Sequence, residues 1–110
     1  MEGFVKGDVG VIPFPFSDLS ASKKRPAVVV ANLSGDDLII AQITSVARTD
    51  DCAISLEQKN FKNGKLPHNS VIRPNKLFTA DKLLISYKAG SINDEKIKEI
   101  EKALVKIFTK

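Results

Sequence analysis

Residues 6–31, KGDVGVIPFPFSDLSASKKRPAVVVA, indicate the fold class more directly than any other part of the sequence. The stretch predicts a short apolar strand at 9–14, a polar basic loop, and a second apolar strand at 27–31. Continuous apolar runs of this length, bounded by proline and polar residues, are typical of buried strands. Arg25 precedes the second strand in the pair Arg25-Pro26. At such a strand edge its guanidinium can pair with two phosphate oxygens.

Strand signals continue to about residue 87. A turn signal at 34–36 predicts a hairpin between 27–31 and a strand at 38–44. A hydroxyl pair, Thr44-Ser45, stands at the end of that strand. Further strands are predicted at 53–56, 70–73 and 83–87, with a turn at 63–64 in the polar segment 59–67.

The C-terminal segment changes to helical spacing. Apolar residues recur three or four positions apart with charges between them, which predicts an amphipathic helix packed on the sheet. Asn93 is its predicted N-cap, and Ile92 and Ile97 occupy the two positions of a hydrophobic staple. The whole pattern predicts a mainly β domain with five to six short antiparallel strands and one C-terminal helix. The apolar residues of the helix are Ile97, Ile100, Leu104, Ile107 and Phe108.

Length and composition limit the class of protein. A chain of 110 residues with 43% hydrophobic residues predicts a single domain, 1–110. No run approaches the roughly 20 apolar residues of a membrane helix, and the one cysteine, Cys52, is expected to be structural in a reducing cytoplasm. The net charge is +4, which favours a polyanion partner where basic residues cluster, although a solvated surface gives the same composition. The clusters are Lys23, Lys24 and Arg25, then Lys62 and Lys65.

Three segments together resemble the MazF/PemK toxins, which are metal-independent endoribonucleases of toxin–antitoxin modules. The segments are GDVGVIPFPFSDLSASKKRPAVVVA at 7–31, IIAQITS at 39–45 and SVIRPNKLFTADK at 70–82. The resemblance implies a small SH3-like barrel with an appended helix, as in MazF, Kid and CcdB, together with a homodimer and a cognate antitoxin as partner. It also implies cleavage of single-stranded messenger RNA without a cofactor, and Arg25 and Thr44 as the catalytic residues.

Arg25 and Thr44 suit the cleavage of RNA without a metal. In such a reaction the ribose 2′-hydroxyl attacks phosphorus, and a guanidinium, which stays protonated, can hold the negative charge that develops. A threonine hydroxyl can donate to a phosphate oxygen or orient the 2′-hydroxyl. It is a weak base, so the general base stays unassigned. Without the resemblance, a surface arginine and an ordinary strand threonine are the commoner explanations.

Five substrate-binding candidates lie near this pair in the sequence. A hydroxyl beside Thr44 can assist it, and two lysines can contact phosphates through their charge. In the family, the loop at 16–24 helps to shape the RNA groove, and a phenylalanine there can stack on a base. The candidates are Ser45, Lys24, Lys23, Phe16 and Ser17.

Other chemistry-bearing residues give weaker signals. His68 is the only histidine, which excludes a two-histidine mechanism, and it is expected in an exposed loop, with proton transfer as the alternative. No metal site is predicted, because the Asp pairs at 36–37 and 50–51 are typical of turns. Two other functions stay open: a CcdB-like toxin that binds gyrase without chemistry of its own, and an SH3-like module that only binds nucleic acid.

Overall fold

One antiparallel sheet dominates the computed structural model, which describes residues 3–14, 23–45 and 51–110 of the chain. The sheet has seven strands and is followed by a single α-helix, and two single-turn 3₁₀ helices lie in the connections. The strands are β1 (Asp8–Phe14), β2 (Lys23–Asn32), β3 (Asp37–Thr44), β4 (Ile54–Leu56), β5 (Phe61–Gly64), β6 (Ser70–Asp81) and β7 (Tyr87–Ile92), the 3₁₀ helices are Gln58–Asn60 and Lys82–Leu84, and the α-helix is α1 (Asp94–Phe108).

The strand order across the sheet is β4-β6-β3-β2-β1-β7-β5, so β4 and β5 form its two edges. All the pairs are antiparallel, and the sheet curls into a half-barrel. The predicted fold class, mainly β with a C-terminal helix, is confirmed. The described part of the chain contains seven strands where the sequence predicted five to six.

The extra strand is β5, which lies in the segment 59–67 that the sequence predicts to be a polar connection. Only Phe61 is half-buried in it, and the other three residues are exposed. An edge strand with one face in water and no alternation of apolar residues carries no periodic signal. The turn predicted at Asn63-Gly64 is wrong, because both residues lie in β5 and pair with Ser91 and Gly90 of β7. Gly64 nevertheless has a positive φ of 73°.

Two strand boundaries also differ from prediction. The strand predicted at 83–87 is wrong, because Asp81 caps a 3₁₀ helix by accepting a hydrogen bond from the Leu83 amide at 2.8 Å, and the strand begins only at Tyr87. The strand predicted at 70–73 continues to Asp81. The sequence does not predict this continuation because Pro74 has no backbone N–H to donate to the hydrogen-bond ladder of a sheet. The structure accommodates it in a bulge where the pairing with β3 jumps by several residues.

Strand β2 is buried on both faces, which explains its continuous apolar run. Val28 belongs to a cluster that includes Ile43 and Ile100 of α1. Ala27 and Val29 point to a second cluster with Ile40. The helix thus covers one face of the sheet while the second cluster fills the other.

Helix α1 begins as predicted. The Asn93 side chain accepts a hydrogen bond from the Lys96 amide at 2.9 Å, and Ile97 packs against the cluster that contains Ile100. The prediction that Phe108 belongs to the apolar face packed on the sheet is wrong, because its side chain is 71% exposed. At about 100° per residue, Phe108 lies roughly 80° around the helix from Ile100, outside the face that meets the sheet.

Buried polar contacts fix β7 against β1. Asp8 is 3% exposed and accepts a hydrogen bond from the Ser91 hydroxyl at 2.7 Å, and its other oxygen lies 3.1 Å from the Lys88 ammonium. A bulge between Val9 and Gly10 shifts the register along this seam. The shift sets Tyr87 opposite Val11.

Candidate functional site

A groove of about 320 Å³ opens where β2 and β3 separate. Three parts of the chain form its walls: the first residues of β2, the end of β3, and the connection between β5 and β6, with single residues from β1 and β7. The groove is lined by Val11, Lys24, Arg25, Pro26, Ile43, Thr44, Ser45, Leu66, Pro67, His68, Ser70 and Tyr87.

Arg25 lies within β2 and not at its edge, since the strand begins at Lys23 and Arg25 pairs with Ile12 of β1. Pairing of β2 with β3, however, begins only at Ala27. Arg25 therefore lies beyond the point where the two strands part, and its half-buried side chain lines the opening.

Thr44 is the last residue of β3 and pairs with Val71 of β6. If the β2–β3 register continued by two residues, Arg25 would lie opposite Thr44. Thr44 is 4% exposed, so only a small part of its side chain reaches the groove, whereas Ser45 is exposed. The structure thus brings together two groups that the sequence separates by almost 20 residues.

The other substrate-binding candidates divide into two groups. Lys24 is exposed and lines the groove beside Arg25. Lys23 pairs with Phe14 at the start of β2. Phe16 and Ser17 lie outside the described residues.

Two residues of the groove were not assigned to the site from sequence. His68 is exposed, as predicted, yet it lines the same groove as Arg25 and Thr44. Tyr87 lines the groove as well and is 58% exposed. A large aromatic ring that is exposed in a groove indicates a binding role for Tyr87. This exposure can be recognised only in the folded structure, where the strands are paired.

The electrostatics of the groove favour an anion. Lys24 and Arg25 contribute positive charge, and no Asp or Glu is among the described residues that line it. Nor do three or more His, Cys, Asp or Glu side chains converge as metal ligands anywhere in the described ranges. A wall with one sign of charge concentrates ligands of the opposite sign.

A protein-family model matches residues 6–108, nearly the whole chain, and describes PemK-like, MazF-like toxins of type II toxin–antitoxin systems. The chain belongs to this family. The resemblance read from the sequence is therefore confirmed. Among curated protein sequences, none matches the chain significantly.

Solved structures of MazF-like toxins share the fold. A mycobacterial endoribonuclease in complex with its cognate antitoxin superposes with a TM-score of 0.78 at 14% identity, over 97% of this chain and 96% of that one. Toxin MazF-mt6 of Mycobacterium tuberculosis gives 0.73 at 14% identity, over 93% and 96%. A MazE-MazF structure from Deinococcus radiodurans gives 0.71 at 12% identity, over 98% and 96%. In the described part of this MazF-like chain, no helix is both long and apolar enough to span a bilayer.

Proposed function

We propose that this MazF-like toxin is a metal-independent endoribonuclease that cleaves single-stranded messenger RNA. The observation that carries the proposal is the groove itself, in which Arg25, Thr44 and Ser45 meet with an excess of positive charge. The ribose 2′-hydroxyl attacks the adjacent phosphorus and displaces the 5′-oxygen. The products are a 2′,3′-cyclic phosphate and a 5′-hydroxyl.

Arg25 stabilises the transition state. Its planar fork donates to two oxygens of the phosphorane, where negative charge develops, and the half-buried position excludes part of the competing water. Thr44 supplies a hydroxyl that donates to a phosphate oxygen or orients the 2′-hydroxyl. Both groups act from paired strands, so they are held in place before the substrate binds.

Substrate binding uses the rim of the groove. Lys24 contacts phosphate and Ser45 donates a hydrogen bond, while the exposed ring of Tyr87 offers a surface on which one base stacks. Lys23, Phe16 and Ser17 are further contacts to the RNA in this proposal.

The partners follow from the same chemistry. An antitoxin with an acidic segment fills the cationic groove and blocks RNA, and the toxin acts as a homodimer in the cytoplasm. Two relatives of this fold were solved with their antitoxins. Because opposite charges meet, binding of the antitoxin weakens as salt rises.

Mapping of the cut ends tests the reaction. Purified protein is incubated with an unstructured RNA, with and without EDTA, and the ends are identified. We expect discrete cuts with 2′,3′-cyclic phosphate ends, unchanged by EDTA. A single deoxyribose on the 5′ side of a cut must stop cleavage there, while binding survives, since the lost hydrogen bond is worth only ~0.5–1.5 kcal/mol. Normal cleavage of the deoxy substrate, or dependence on a divalent ion, would refute this mechanism.

Growth of a bacterial host tests the biological role. Expression of the chain alone should arrest growth, and co-expression of its antitoxin should relieve the arrest. Arrest that persists in the Arg25→Ala variant would favour a toxin that only binds its target, such as a gyrase inhibitor. RNA binding without any cleavage would favour a simple nucleic-acid-binding module.

A further inference from the structure

The groove contains one side chain suited to accept a proton near neutral pH. Among its described lining residues, Lys24 and Arg25 are cationic, the hydroxyls of Thr44 and Ser45 are weak bases, and no carboxylate is present. A neutral imidazole has an unprotonated ring nitrogen that can accept a proton. His68 is therefore the group in this set that can act as a base.

The chain holds His68 in position from both sides. On one side, Leu66 packs against the core cluster that contains Ile92. On the other, Ser70 is buried at the start of β6, and its hydroxyl donates a hydrogen bond to the His68 carbonyl oxygen at 3.0 Å. A short loop anchored at both ends can present the imidazole to a substrate with little loss of conformational entropy on binding.

We propose that His68 is the general base of the RNA cleavage, an assignment that rests on the function proposed above. An unprotonated ring nitrogen takes the proton from the 2′-hydroxyl as O2′ forms its bond to phosphorus. The P–O5′ bond breaks, and the leaving 5′-oxygen takes up a proton from solvent. The imidazolium then returns its proton to water, so the enzyme is restored. Arg25 keeps its role at the phosphate and moves no proton.

The test compares His68→Gln and His68→Ala with Asn69→Ala, since Asn69 is an exposed neighbour in the same loop that does not line the groove. Loss of a general base typically lowers the rate 10²–10⁴-fold. We expect that loss in both His68 variants and none in Asn69→Ala. Binding of an RNA with deoxyribose at the cut site should be unchanged in all three. Added imidazole should restore part of the activity of His68→Ala.

The pH dependence separates a base from a residue that only supports the loop. The charged and titratable groups that line the groove around His68 are Lys24, Arg25 and Tyr87. A reaction that requires an unprotonated base should become faster from acid pH to a plateau in the wild-type protein. His68→Gln should lack this plateau and rise with hydroxide concentration instead.

The outcomes distinguish this inference from the proposed function. If wild-type protein cleaves RNA and Arg25→Ala is inactive, but His68→Gln keeps the wild-type rate and pH profile, the assignment of His68 is refuted and the function stands. If wild-type protein cleaves no RNA, the function fails and the assignment falls with it.

Discussion

Lys96 of α1 donates a hydrogen bond from its ammonium to the backbone carbonyl oxygen of Ser55, in the middle of β4, at 2.8 Å. The ammonium also lies 2.8 Å from the Glu99 carboxylate. Ser55 pairs with Val71, which pairs on its other side with Thr44. A helix residue therefore secures the edge strand that lies two strands away from a proposed catalytic residue.

Replacement of Lys96 by methionine should lower the free energy of unfolding by about 1–3 kcal/mol, because the part-buried hydrogen bond to the Ser55 carbonyl oxygen loses its donor. Urea denaturation measures the change. Lys98→Met, at an exposed position on the same helix, should stay within about 0.5 kcal/mol of wild type. Equal effects of the two substitutions would show that the contact with Ser55 contributes nothing.

Arg25→Ala should lower RNA cleavage by about a hundred- to a thousandfold, the usual effect of removing one transition-state donor. Its thermal midpoint should not change, since Arg25 belongs to neither core cluster. Arg25→Lys should recover little activity, because a point charge does not reproduce the bidentate fork. Lys24→Ala serves as the control and should raise KM with little change in kcat. Near-normal turnover by Arg25→Ala would remove the guanidinium from the mechanism.

Three substitutions at Thr44 separate its hydroxyl from its packing. Thr44→Ser keeps the hydroxyl and should retain more activity than Thr44→Ala or Thr44→Val. Since the side chain is buried, unfolding must be measured beside the cleavage rate. If the serine and alanine variants are equally inactive but folded, Thr44 contributes only to the packing of β3. Ser45 then becomes the next candidate for the catalytic hydroxyl.

Tyr87→Ala should weaken RNA binding by ~1–3 kcal/mol, the effect of removing one aromatic stacking surface. Tyr87→Phe should bind almost as well as wild type, because the ring remains. Leu84→Ala removes another exposed apolar side chain, outside the groove, and should change nothing. Fluorescence anisotropy with a labelled deoxy-substituted RNA gives the affinities. Equal binding by Tyr87→Ala and wild type would contradict stacking.

Gly64→Ala should destabilise the protein more than Gly35→Ala. Both glycines have positive φ, 73° and 83°, a conformation that costs other residues about 1–2 kcal/mol. At Gly35 an added Cβ meets nothing within 4 Å, whereas at Gly64 it would collide with the Ala89 carbonyl oxygen and the Gly90 Cα. Urea denaturation of the two variants isolates the cost of the collision, and equal losses would show that β5 can move away from β7.

The sequence was sufficient for the parts of the fold that carry periodic apolar residues or capping signals. The hairpin of β2 and β3 and the start of α1 at Asn93 are examples. It was insufficient where a strand is held by backbone pairing alone. Strand β5 exposes most of its side chains, and β7 contains Gly90 and Ser91 at buried positions, so neither shows the alternation of a strand.

The residues of the candidate site likewise fall into those that could be predicted from the sequence and those that could not. Arg25 and Thr44 flank one hairpin, so its turn at 34–36 already brings their strands together, and the family resemblance selects the two residues. His68 and Tyr87 enter the groove through the connection after β5 and through β7. No local sequence pattern predicts the pairing of β5 with β7. The positions of His68 and Tyr87 in the groove are therefore known only from the folded structure.

The strand order has a consequence for synthesis of the toxin. Strand β7 is the last strand in the described part of the chain, and it lies between β1 and β5, which both precede it in the sequence. Until β7 leaves the ribosome, β5 lacks the one strand that pairs with it among the described residues, and Tyr87 is absent from the groove. A growing or truncated chain that ends before β7 therefore lacks one wall of the candidate groove and the strand that pairs with β5.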